Sequence, residues 1–152
     1  MSYPKPETLD EWLAYIEQLH PQAIAMGLER VQNVRRGLAL DPGFSLITVG
    51  GTNGKGSCCA MLEAVLLHAG YRVGCYTSPH LLRYNERVRI GGREADDGAL
   101  CRAFARIESA RQSTAGTLLT YFEFGTLAAM LAFAEAEVEV AILEVGLGGR
   151  LD

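Results

Sequence analysis

Gly50-Gly51-Thr52-Asn53-Gly54-Lys55-Gly56-Ser57 is the stretch on which the reading of this chain turns. An apolar run, Phe44-Ser45-Leu46-Ile47-Thr48-Val49, precedes it. A helical pattern follows, with Met61, Leu62, Val65, Leu66 and Ala69 on one face. The order is therefore strand, glycine loop, helix. Glycines let successive backbone N–H groups turn inward, and the unsatisfied amides of a helix start add positive potential where a polyphosphate would sit. Lys55 is placed to reach the outer phosphates. The common pattern G-x-x-x-x-G-K-[ST] is met imperfectly, because Gly56 separates Lys55 from Ser57, which argues against a generic kinase or GTPase.

Around this loop the composition is that of a soluble globular domain: 152 residues, 49% hydrophobic and 21% charged. A net charge of −4 gives no basic surplus, so nucleic acid is not expected as the main partner and any anion site must be built locally. Cys58, Cys59, Cys75 and Cys101 have neither zinc-site spacing nor the density of a disulfide scaffold, and are expected reduced and mostly buried. The N-terminus has no leader pattern and no segment approaches a membrane span, so a cytosolic protein without a membrane partner is expected.

Outward from the loop, Thr8 with Glu11 predicts a capping box opening a helix through Trp12, Leu13, Ile16 and Leu19, closed by Pro21. A second helical period runs from Leu28 to about Leu40. Gly70 predicts the end of the loop helix, and Tyr71 to Thr77 a second strand, so the two strands form a βαβ crossover. The polar and aromatic strip Thr77 to Arg87 then falls at the carboxyl edge of that strand, where open α/β sheets place their sites. Arg87 to Arg93 predicts a small exposed hairpin. Asp96 or Asp97 caps a helix through Ile107, and Thr120-Tyr121-Phe122-Glu123 opens another whose aromatics divide between core and site wall.

Val138 to Val145 reads as a buried strand carrying an acid, Glu144. A lone acid in an apolar strand is costly unless its charge is compensated. A magnesium ion on ATP phosphates would compensate it, with Ser57 or Ser78 as hydroxyl ligand. The terminal Gly146-Leu147-Gly148-Gly149-Arg150-Leu151-Asp152 resembles a site turn, which suggests a fragment.

Taken together, Gly27 to Val31, Gly51 to Ser57, Ser78-Pro79-His80-Leu81, Glu86-Arg87-Val88-Arg89, Leu119 to Glu123 and Leu143 to Asp152 resemble the N-terminal part of the bacterial folylpolyglutamate synthase / dihydrofolate synthase family, within the Mur ligase superfamily. Lys55-Gly56-Ser57 is that family's form of the loop. The resemblance implies a three-layer α/β fold with a mostly parallel sheet and a phosphate loop, incomplete in this chain, so that residues 1–152 form a truncated N-terminal ATP-binding domain without the C-terminal domain. It implies an ATP-dependent ligase joining L-glutamate to dihydropteroate or to the γ-carboxyl of a reduced folate, through an acyl phosphate. Thr52, Asn53, Gly54, Lys55, Gly56 and Ser57 correspond to the ATP loop, with Lys55 catalytic. Ser78 and Glu144 correspond to magnesium ligands, while Thr120, Tyr121, Phe122, Glu123, Leu151 and Asp152 correspond to the pteridine-side wall. The full-length protein is expected to be a monomer. One departure concerns Ile24-Ala25-Met26-Gly27, where the bifunctional members carry an Asp after the Ile. The alternatives are a non-catalytic ATP-binding fragment and another Mur-superfamily amino-acid ligase, one using a cell-wall amino-acid precursor.

Overall fold

The computed structural model describes residues 6–21, 25 and 27–146. Helices α1 (Leu9–Leu19) and α2 (Glu29–Gly37) lead into strand β1 (Ser45–Val49), and helix α3 (Lys55–His68) connects it to β2 (Val73–Tyr76). A short 3₁₀ turn (Tyr84–Arg87) precedes β3 (Val88–Ile90) and β4 (Arg93–Glu94); helices α4 (Asp97–Ser113) and α5 (Tyr121–Glu135) precede β5 (Val140–Glu144). The expected caps form: Thr8 with Glu11 and Thr120 with Glu123 are reciprocal capping boxes, and Asp96 caps α4.

The sheet order is β1-β5-β2-β3-β4. β1, β5 and β2 run parallel, so β5 inserts between the two strands of the first crossover. β3 and β4 close the other edge antiparallel. The hairpin is thus not simply exposed as its sequence suggests: β3 joins the sheet and Val88 is fully buried, while Arg93 and Glu94 remain at the surface. Along β5 the faces alternate with the strand period. Ile142 packs with Val49, Cys59, Val73 and Cys75 under α3, and Ala141 joins the larger core formed with α1, α2, α4 and α5 on the opposite face. The result is three layers, helix–sheet–helices.

The face of α3 differs from the one its sequence predicts. Cys59 and Glu63 turn inward, with Leu62, Leu66 and Leu67 packed beside them, whereas Met61 and Val65 stand 70% and 65% exposed. This helix is apolar almost all round, so periodicity carries no orientation. Its register is set instead by a contact distant in sequence: Glu63 receives Arg89 from β3 at 3.0 Å (Nε to Oε2) and 2.7 Å (Nη2 to Oε2).

The cysteines divide similarly. Cys59 and Cys75 are buried, Cys101 is half-buried and Cys58 is exposed, so the expectation of mostly buried thiols holds for only part of the set. Burial pushes the Cys59 thiol up to about 11 and the Cys75 thiol up to about 12. At pH 8 such thiols are ionised to about one part in a thousand or less, and the thiolate is the reactive form. A maleimide or disulfide reagent is therefore expected to label Cys58 rapidly in the native protein and Cys59 and Cys75 only on unfolding; equal rates at all four would contradict this packing.

Candidate active site

Three features meet at the carboxyl edge of the parallel strands. The first is the glycine loop after β1. Gly54 is the N-cap of α3 at φ 75°, a left-handed conformation that glycine adopts without a Cβ clash, and no side chain caps the helix. Thr52, Asn53, Gly54, Gly56 and Ser57 are exposed. The first-turn amides of a 14-residue helix consequently have no side-chain acceptor at the cap. Lys55 folds back across the loop, its Nζ donating to the Gly51 carbonyl at 3.0 Å. A cation held over an uncapped helix start is suited to an anionic ligand.

The second feature is Glu144. It is the last residue of β5, the middle of the three parallel strands, level with Val49 of β1, and only 8% exposed. Its Oε2 accepts from the Ser78 amide at 2.8 Å. That brings together two residues expected as metal ligands, although the contact runs through the Ser78 backbone rather than its hydroxyl. Ser57, the other hydroxyl considered for this role, makes no such contact among the described residues. No basic side chain pairs with Glu144 among them either, so a buried carboxylate is left with one neutral donor. This donor set fits a divalent cation that completes its shell with water and phosphate oxygens, since magnesium takes few protein ligands.

The third feature is a cleft of about 830 Å³ lined by Leu13, Ala14, Glu17, His20, Pro21, His80, Arg87, Tyr121 and Phe122. Phe122 also packs against the end of β5: a Cβ on Gly146 would stand 2.8 Å from its ring, which couples the cleft wall to the strand that carries Glu144. The four residues Thr120 to Glu123 separate by task. Tyr121 and Phe122 line the cleft, whereas Thr120 is buried and exchanges capping hydrogen bonds with Glu123. Glu123 in turn accepts from Arg30 Nη2 at 2.8 Å, and the same nitrogen donates to the Ala25 carbonyl at 2.8 Å. Arg30 thereby ties the segment before α2 to the start of α5. Leu151 and Asp152 lie outside the described residues.

The strip after β2 is organised by Glu86. Its carboxylate accepts from the amides of Leu81, Leu82 and Arg83 at 2.9, 2.7 and 2.7 Å, and these bonds hold it below the usual carboxylate range. The loop tip presents Leu81 and Leu82, 88% and 90% exposed. The Ser78–Pro79 peptide is cis. Arg30, His80 and Arg87 stand in or beside the site wall, and motif reading met them only inside longer stretches, since a lone Arg or His carries no spacing signal. The density of polar and aromatic groups from Thr77 to Arg87 was the available clue.

A three-layer sheet with a glycine loop after one strand and an acid at the end of its neighbour defines a phosphate-loop α/β domain. Among known proteins, the chain is 54% identical over 145 residues to the dihydrofolate synthase/folylpolyglutamate synthase of Escherichia coli (strain K12), covering 95% of this chain and 34% of that protein. It is 52% identical to the Haemophilus influenzae protein of the same name, with 95% and 32% covered. Among solved structures, Escherichia coli FolC in complex with DHPP and ADP superposes with a TM-score of 0.92 at 51% identity, over 99% of this chain and 36% of that one. The Yersinia pestis bifunctional folylpolyglutamate synthase/dihydrofolate synthase, complexed with AMPPNP and Mn ion, gives 0.90 at 52%, over 100% and 37%. No family model matches the chain. With these likenesses the chain belongs to the dihydrofolate synthase/folylpolyglutamate synthase family, and it spans about a third of the length of the relatives it matches.

Proposed function

We propose that this chain is the nucleotide-binding portion of an ATP-dependent ligase that joins L-glutamate to dihydropteroate or to the γ-carboxyl of a reduced folate. The observation that carries this reading is the meeting of an uncapped glycine loop, a buried unpaired Glu144 and an aromatic cleft at one sheet edge, in a chain half identical to relatives solved with ADP or AMPPNP. Residues 1–152 form the ATP-binding domain in this reading. The protein acts on small molecules in the cytoplasm, as a monomer, with neither nucleic acid nor membrane as partner. The net charge of −4 agrees with this, as does the lack of a membrane-length apolar helix among the described residues.

The chemistry requires activation because a carboxylate is a poor electrophile. Its oxygen attacks the γ-phosphorus of ATP, the bond to the β-phosphate oxygen breaks, and ADP leaves; the glutamate amine then attacks the acyl phosphate and expels inorganic phosphate. The Thr52 to Ser57 amides and Lys55 hold the phosphates in line, and Tyr121 and Phe122 offer ring faces to a flat aromatic acid. Glu144 and Ser78 would hold magnesium, which when bound neutralises charge on the phosphate oxygens.

Incorporation of labelled glutamate by the complete gene product, with dihydropteroate and tetrahydrofolate-glutamate supplied separately, tests the reading; no incorporation into either overturns it. Incorporation only into the folate would tie Ala25, in place of the Asp found in bifunctional members, to loss of the first activity. Lys55→Ala is expected to weaken ATP binding about ten- to a hundredfold, the scale of a charge-assisted hydrogen bond, without changing the melting temperature. Nucleotide titration of both proteins checks it.

A further inference from the structure

Arg87 is an arginine without a carboxylate partner among the described residues, set in the wall of the cleft. Its guanidinium carbon lies 5.5 Å from the Tyr84 ring centroid and 5.4 Å from that of Tyr121. Its Nε donates to His80 Nδ1 at 2.8 Å. The His80 ring is itself packed against Tyr84, with centroids 5.9 Å apart. The fork is thus held by two aromatic rings and one imidazole, none of which cancels its charge. The hydroxyl of the fully buried Tyr76 lies close enough to Arg87 and Thr126 for both side chains to act on it.

A guanidinium so placed is preorganised, since stacking fixes its plane while its outer edge keeps the geometry that matches a carboxylate in bidentate fashion. The other charge in the cleft wall is Glu17, which acts with Arg87 on Tyr121 in opposite senses. An acid in the same cleft wall disfavours a polyphosphate, which suits a singly charged group attached to a flat or apolar body lying on Tyr121, Phe122 and Leu13.

We infer that Arg87 binds a substrate carboxylate in this cleft, as a specificity-determining residue of the ligation. The inference rests on the function proposed above. Two sources of that carboxylate exist, the pterin-bearing acid and the incoming glutamate.

The experiment uses the complete gene product and compares wild type, Arg87→Gln and Arg87→Lys. Binding of dihydropteroate and of its neutral carboxamide is measured, together with KM for L-glutamate and for ATP. Wild type should prefer the acid over the amide about ten- to a hundredfold. Arg87→Gln should reduce that preference to about twofold, with amide and ATP binding unchanged, and Arg87→Lys should restore part of it. A merely structural role would weaken acid and amide alike. If the preference persists and KM for glutamate rises instead, the carboxylate belongs to the amino acid. If neither changes in a folded Arg87→Gln protein, the inference is overturned, whereas a wild type that neither binds dihydropteroate nor incorporates glutamate overturns the ligase reading itself.

Discussion

Glu144→Gln is expected to retain the fold and lose about a thousandfold in turnover. Glutamine matches glutamate in shape and can still accept from the Ser78 amide, the one hydrogen bond that the carboxylate receives among the described residues. What disappears is the charge. A buried acid without a cationic partner is a cost to the folded chain, so removing it should leave the melting temperature unchanged or raised. A divalent cation held at this edge, as proposed above, would contribute several kcal/mol to the stabilisation of a phosphoryl transition state, and about 1.4 kcal/mol corresponds to tenfold in rate. Loss of about 4 kcal/mol therefore gives the stated factor. Glutamate incorporation by the complete gene product, measured across a magnesium titration beside a thermal melt, checks both halves. Activity within tenfold of wild type at every magnesium concentration would overturn the proposed role of Glu144 as a metal ligand.

The second large effect is on stability and lies away from the cleft. Glu108 and Arg111 on α4 are 9% and 7% exposed. The Glu108 carboxylate accepts from Arg111 Nε and Nη2 at 2.8 Å each, from the Tyr15 hydroxyl at 2.8 Å and from Gln112 Nε2 at 2.7 Å. Arg111 Nη1 also donates to the carbonyls of Gly116 and Thr117. One network thus joins α1, α4 and the loop leading to α5. Glu108→Gln would leave the Arg111 cation buried without its counter-charge, at a cost of about 3–5 kcal/mol, a large part of the 5–15 kcal/mol typical of a domain. Urea unfolding at pH 7 measures it, and a change below about 1 kcal/mol would show that the pair contributes no more than a surface ion pair.

The same residue gives a pH dependence. Burial raises the Glu108 pKa, but hydrogen bonds from Arg111, Tyr15 and Gln112 outweigh burial and hold it below the ordinary carboxylate value. A depressed folded pKa means that the unfolded chain takes up the proton first. The stabilisation is complete above the unfolded-state value and is lost as pH falls through the folded one. Wild type should therefore lose stability toward acid more steeply than Glu108→Gln, and the two curves should converge at low pH.

How much of this was legible beforehand follows from the range of the forces involved. Caps act over three or four residues, so Thr8 with Glu11, Asp96, and Thr120 with Glu123 could be read directly and all form. The strand–glycine loop–helix order and the acid in an apolar strand are local patterns too. They marked the glycine loop between β1 and α3 and the acid that ends β5.

Two other features were not local. The inward face of α3 is chosen by Glu63 meeting Arg89, 26 residues away, and the apolar sequence of the helix offers no preference of its own. The cleft wall is assembled from Leu13 and Glu17 on α1, Arg87 after the Ser78 loop, and Tyr121 and Phe122 on α5. The sequence marked Tyr121 and Phe122 as wall residues and Arg87 as part of a polar strip, but nothing in it joined them to Leu13 and Glu17 of α1.

Sequence by itself therefore determined the class of fold, the glycine loop between strand and helix and the acid at the end of an apolar strand, because each is written in turn geometry and periodicity over fewer than about ten residues. Tertiary structure alone decided that β5 lies between β1 and β2, so that Glu144 is central and buried beside Ser78. It also decided that Arg87 stands over two tyrosine rings without an acidic partner among the described residues. Both depend on strand order and on contacts between distant segments, which form only when the chain closes its core.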